Sequence, residues 1–349
     1  MNKILLIIIS ISISFADIYI SGDARVRPRY DVRENYAGNK KVSDLYYLYR
    51  ARLNIKSEIG EGYFFSSKLG TNEIAAISKM ASDGEHTSLT GGTSGNLNSS
   101  RPQVDFLQLY FGFKKEKSGF WAGAFPLKSN PALDIHFYPS KMVDIPFALL
   151  NNGSITGFAG YQQLTSYKLN WFVSIDTQVK DLIIDPDDNE VESNELYTLG
   201  FDTKMKLGPL VVAPQLLATF GGDTTNNTPS TIGANLDLMD VVGFKPSLSY
   251  FMSNNNQNDK YDASHIRLSA VKKMKVGDFK FFYDMAKYKK EDSDEMDLSY
   301  MWLSYAYKLF DGDLGSVKLM PTIRIQNGSI SDPDYSRSKF ELTTEIKFK

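Results

Sequence analysis

The chain of 349 residues has no cysteine and only three histidines, His86, His136 and His265. The first absence excludes disulfides, thiolate metal sites and cysteine nucleophiles. The second leaves little from which to build an imidazole metal site or a hydrolytic triad, and no recognisable serine motif accompanies these histidines. Beyond residue 16 there is no run of the roughly 20 apolar residues that a membrane-spanning helix needs. There is no basic excess either. The 39 Lys and Arg against 41 Asp and Glu leave a net charge of −2, which argues against a nucleic-acid partner. No cofactor is expected. Gly91-Gly92-Thr93-Ser94-Gly95 opens no helix pattern, so it does not read as a phosphate cradle. Asp185 to Glu190 begins like a calcium loop but lacks its glycine and carries Leu196 at the bidentate position.

What is present begins with a short apolar leader. Lys3 precedes Ile4 to Ile13, and Ser14-Phe15-Ala16 ends on a small residue. Residues 1–16 read as a cleaved secretory signal, too short to span a bilayer. Residues 17–349 then form a single domain. Its 20 Tyr and 22 Phe suit aromatic girdles at two membrane interfaces.

The rest of the chain alternates with a period of two. In the first strand Ile20, Gly22, Ala24, Val26, Pro28 and Tyr30 share one face, and Asp23, Arg25, Arg27 and Arg29 share the other. Tyr49, Ala51, Leu53 and Ile55 likewise alternate with Arg50, Arg52, Asn54 and Lys56. Phe340, Leu342, Thr344, Ile346 and Phe348 alternate with Glu341, Thr343, Glu345 and Lys347. An exported chain with many such strands and no spanning helix predicts a closed, all-β antiparallel transmembrane barrel, greasy outside and wet inside. Short turns are expected near residues 60, 116, 165, 208, 241, 276 and 313. Longer connections rich in Asn, Asp, Ser and Gly are expected near 32–44, 73–102, 128–152, 179–194, 222–230, 253–261, 289–296 and 327–335. Seven turns and eight loops imply sixteen strands, with both termini on one side. Prolines 28, 209, 214, 246 and 321 fall in or near strands and predict bulges or strand ends there.

The block Asp105-Phe-Leu-Gln-Leu-Tyr-Phe-Gly-Phe113, a charged turn, and Gly119-Phe-Trp-Ala-Gly-Ala-Phe125 lead into a long loop. This layout resembles the general diffusion porins of Gram-negative outer membranes. The resemblance implies a sixteen-stranded, trimeric, water-filled channel for small hydrophilic solutes, with a third extracellular loop folded into the barrel. The chain departs from that family in ending Phe348-Lys349 and in lacking a Pro-Glu-Phe-Gly-Gly type of loop motif. Outer-membrane lipids, lipopolysaccharide and two further copies of the chain are the expected partners, and the bacterial outer membrane is the expected location.

On this reading the lumen carries the chemistry. Arg25, Arg27, Arg29, Arg50 and Arg52 lie on one face of two adjacent strands, where their repulsion demands water, counter-ions or acids. Asp134 and Asp144 of loop 128–152 are the expected acid partners, so that a basic wall faces an acidic loop across a constriction. Lys56, Lys168, Lys245, Arg267 and Arg324 are further lumen cations, with His265 beside Arg267. Loop 128–152 is unusually apolar, with Leu133, Ile135, Phe137 and Phe147 among its residues, and should bury against the inner wall. The expected function is passive diffusion with a mild anion preference. The alternatives are a substrate-specific channel for phosphate, sugar or carboxylate, with Phe64, Phe106, Tyr110 and Phe172 as a sugar slide, and less readily a barrel enzyme or adhesin.

Overall fold

The computed structural model describes residues 17–36, 39–71, 78–79, 104–127, 130–141, 154–177, 195–221, 227–239, 243–329 and 334–349. Among them sixteen long strands follow one another, each hydrogen-bonded to the next. They are β1 (Asp17–Tyr36), β2 (Asn39–Gly60), β3 (Tyr63–Thr71), β4 (Val104–Lys114), β5 (Ser118–Phe125), β6 (Ile155–Gln163), β7 (Lys168–Thr177) and β8 (Leu196–Thr203, resumed at Met205–Leu207). Then come β9 (Leu210–Gly221), β10 (Ser230–Leu238), β11 (Lys245–Asn255), β12 (Tyr261–Met274), β13 (Gly277–Lys290), β14 (Met296–Gly312), β15 (Gly315–Gly328) and β16 (Tyr335–Phe348). Every neighbouring pair is antiparallel, and β1 also pairs with β16, from Gly22↔Phe348 to Glu34↔Ser336. That last pairing closes the sheet on itself. Ser78–Lys79 is a two-residue piece against β2.

The two faces follow the alternation of the sequence. On β1 Asp23, Arg27 and Asp31 are buried, while Ile20, Val26 and Tyr30 are exposed. On β11 Ser249, Phe251 and Ser253 are buried, while Leu248, Tyr250 and Met252 are exposed. On β16 Lys339, Glu341, Thr343 and Glu345 are buried, while Phe340, Leu342 and Ile346 are exposed. A polar inside and an apolar outside invert a soluble protein and match a barrel solvated by lipid. No helix among the described residues is long and apolar enough to cross a membrane.

Three expectations need correction. The connection expected at 32–44 is mostly strand, because β1 and β2 pair from Asp17↔Glu58 through to Tyr36↔Asn39. The polar residues that read as loop are held there by charge. Asp31 accepts from Arg33 at 3.0 Å, from Arg337 at 2.5 Å and from the Tyr46 hydroxyl at 3.1 Å. Second, prolines 28, 214 and 321 sit within strands rather than at their ends, whereas Pro246 is the second residue of β11, at a strand end as expected. Each shares the parity of the outward residues. The ladder skips Arg27 and Pro28 on the β16 side of β1, and skips residues 320–321 on the β14 side of β15, so two of the prolines interrupt one of their two ladders. Third, Phe106 is not in the lumen. A bulge between Lys68 and Leu69 sets it opposite Leu69, and it is 60% exposed on the outer face.

Candidate functional site

The barrel seam brings together charges that the sequence keeps over 300 residues apart. Arg25 pairs with Glu345 and faces Arg50 directly across β1 and β2. Arg29 reaches Glu341 at 2.5 Å and donates to the Tyr46 hydroxyl at 3.1 Å. Arg27 lies 3.7 Å from the same Glu341 and donates to Thr343 at 2.8 Å. From the other side Arg324 of β15 reaches Glu341 at 2.9 Å. Arg50 and Arg52 both bind Asp23, each at 2.6 Å. The like-charge opposition of Arg25 and Arg50 is thus tolerated because a carboxylate sits to each side of it.

The acids that face the five predicted arginines are therefore Asp23, Glu341 and Glu345 on the wall itself, where Asp134 and Asp144 were expected. Asp144 lies outside the described residues. Asp134 belongs to α1 (Pro131–Phe137), a helix within the segment expected to be loop. Its start carries a capping signal. Asn130 caps the helix by accepting from the Leu133 amide at 3.1 Å, and Pro131 takes the first turn.

Helix α1 packs on the inner face of β9 to β12. Leu133 and Ile135 are buried against a cluster that includes Phe125, Leu217, Phe251 and Tyr300. Asp134 lies 3.7 Å from Arg267, which binds Asp284 at 2.6 Å, and His265 shares Asp284 at 3.1 Å. His136 is held at both ring nitrogens, Nδ1 by the Thr231 hydroxyl at 2.8 Å and Nε2 by the Thr219 hydroxyl at 2.9 Å. Residues 142–152 of the expected loop lie outside the described residues.

Burial pushes the His136 imidazole down to about 4. A base whose folded pKa is depressed binds fewer protons folded than unfolded, so stability falls as acid is added. The loss starts near the unfolded value of about 6.5 and is complete below about 4, amounting to about 3 kcal/mol. Thermal unfolding of the wild type is expected to weaken across that window, and H136Q, which keeps polar contacts but does not titrate, should lose much less. Parallel pH profiles would contradict this.

Of the other predicted lumen cations, Arg267 and Arg324 are inward and paired as above. The Arg324 guanidinium also lies 3.8 Å from the Trp302 ring centre. Lys245 begins β11 on the inward parity of Ser247 and Ser249 and is exposed. Lys56 and Lys168 share the inner wall with Lys114, which sequence reading assigned only to a turn. Phe64 and Tyr110 face inward, with rings 5.8 Å apart, and Phe172 is inward but buried. Asp31, Arg33, Arg337 and Lys339 extend the seam, and sequence reading missed them as members of one cluster.

No family model matches the chain, and no curated protein matches its sequence. Solved structures do match along nearly its whole length. An anion-selective porin from Comamonas acidovorans superposes with a TM-score of 0.60 at 12% identity, over 96% of this chain and 100% of that one. The outer membrane channel DcaP of Acinetobacter baumannii gives 0.61 at 11% identity, over 97% and 99%. The trimer form of OmpT, an outer membrane protein of Vibrio cholerae, gives 0.57 at 10% identity, over 95% and 99%. The fold is a porin-type sixteen-stranded barrel. Within a porin-type barrel the seam cluster occupies the wall between the first, second and last two strands, while α1 lies on the wall formed by β9 to β12.

Proposed function

We propose that the protein is a passive channel of the bacterial outer membrane, exported by the signal at residues 1–16 and assembled as a homotrimer among lipids and lipopolysaccharide. Hydrated ions and small hydrophilic solutes cross it down their gradients, and no covalent step is involved. The observation that carries this reading is the charge on the inner wall. Among the described residues three carboxylates, Asp23, Glu341 and Glu345, serve six guanidinium groups, those of Arg25, Arg27, Arg29, Arg50, Arg52 and Arg324. Arginine keeps its proton, so this part of the wall stays positive. Water and mobile anions make up the difference, and a wall of one sign sets which ions enter. Segment 128–152, with α1 against the wall, is the proposed constriction, in which Asp134 and Asp144 supply negative charge. The likeness to an anion-selective porin and an outer membrane channel supports the reading.

The test is the reversal potential of the purified protein in a planar bilayer under a potassium chloride gradient. Chloride should be the more permeant ion. Clear cation selectivity would overturn the anion preference, and absence of conductance would overturn the channel.

A further inference from the structure

The inner wall carries a second basic cluster, built differently from the seam. It spans β2 to β7 at the end of the barrel where the short turns, the start of β1 and the end of β16 lie. Lys56 of β2 and Lys168 of β7 flank Lys114 at the end of β4. Among the described residues no carboxylate lies within ion-pair distance of these three lysines. Their neighbours are aromatic rings. The Lys114 ammonium sits 4.5 Å from the Phe64 ring centre and 5.1 Å from that of Trp121. The Lys168 ammonium sits 3.4 Å from the Tyr161 ring centre. Trp121 and Tyr161 are 6.3 Å apart, and Tyr110 meets Phe64 edge-on at 5.8 Å.

Register explains how four strands deliver these rings to one place. Gly112 stands opposite both Phe64 and Trp121, so no side chain separates the two rings on the inward face. A Cβ at Gly112 would come within 2.0 Å of the Phe120 carbonyl oxygen, so the position stays bare. Beside it a cavity of about 400 Å³ opens among Lys56, Phe64, Tyr110 and Lys114, with Glu58 and Glu61 of the adjoining turn also on its rim and neither in an ion pair with these lysines.

We infer that this cluster is a binding subsite for aromatic carboxylates entering or leaving the channel. The inference rests on the channel reading and adds a preferred solute class to it. Seam arginines are neutralised in part by carboxylates built into the wall, whereas the unpaired ammoniums here await an anion from solution. Charge alone would select any small anion. The rings add a flat apolar surface and edges on which a planar body stacks. Ammonium groups already poised over ring faces turn to a carboxylate when one arrives. A solute with both parts, a ring and one carboxylate, uses both halves of the site at once.

Benzoate is the probe, with acetate supplying the charge without the ring and benzyl alcohol the ring without the charge. Binding to the full-length protein in detergent micelles would be followed by saturation-transfer NMR and calorimetry. Benzoate is expected to bind the wild type at least tenfold more tightly than either control. K56Q/K114Q/K168Q and, separately, W121L should each weaken it tenfold or more, with folding verified by heat-modifiable migration on gels. Equal binding of acetate and benzoate, or full benzoate binding by the folded lysine variant, would overturn the proposal. Conductance of the same preparation separates the two readings. A conducting channel that ignores benzoate removes the subsite alone, whereas benzoate binding by a protein that never conducts removes the channel.

Discussion

Substituting Glu341 by glutamine is expected to give a large loss of stability. Its side chain is almost fully buried and lies within ion-pair reach of Arg27, Arg29 and Arg324. Removing the charge leaves three guanidinium groups around a neutral amide, and none of them can release its proton. Breaking a buried pair by deleting one partner costs about 3–5 kcal/mol, because the remaining charge is stranded. The readout is the temperature at which the folded band disappears in heat-modifiability gels. E341Q should unfold well below the wild type, and E341Q/R324Q should recover part of the difference by removing one stranded cation. An unchanged midpoint in E341Q would mean that water, rather than this carboxylate, neutralises the cluster.

The second large effect concerns ion selectivity. In water a charge about 10 Å from a permeating ion is worth about 0.4 kcal/mol. Screening at 0.1 M salt reduces that to about 0.15 kcal/mol. Replacing Arg25, Arg27, Arg29, Arg50 and Arg52 with glutamine removes five such charges, about 0.7 kcal/mol in total, or about threefold in anion entry. Cation entry rises by the same factor, so the chloride-to-potassium permeability ratio should fall about tenfold and invert. Lysine at the same five positions keeps the charge and should keep the preference. If the glutamine variant folds and retains the wild-type reversal potential, selectivity resides elsewhere in the lumen.

The barrel was legible because lipid and water write a two-residue period into every strand. Ile20 and Val26 against Arg25 and Arg27 suffice to orient β1, and the alternation of short and long connections is enough to count to sixteen. The arginine wall was legible for the same reason. Its acid partners were not. Glu341 and Glu345 lie on the correct face of their own strand, but they become neighbours of Arg25 and Arg29 only when the first and last strands meet. Sequence separation hides such a contact, and Asp134 and Asp144 on a nearer loop took its place in the reading. Helix α1 was missed because seven residues carry too little periodicity, and only the Asn130-Pro131 cap announces it. The Lys114 cluster was missed because that lysine ends a strand whose neighbours, rather than its own segment, supply the rings.

The pairing of β1 with β16 has a further consequence for assembly. Closure waits until the last strand reaches the first, a contact of very large loop length and slow formation. At that moment several alignments compete. A one-residue slip would turn Arg25, Arg27 and Arg29 out toward lipid. A two-residue slip keeps them inside but sets Arg29 opposite Thr343 in one direction or Lys339 in the other. Neither neutralises it as Glu341 does. The ion pairs at the junction thus act as a key cut for a single alignment, so that the cylinder locks only when its two ends arrive in step.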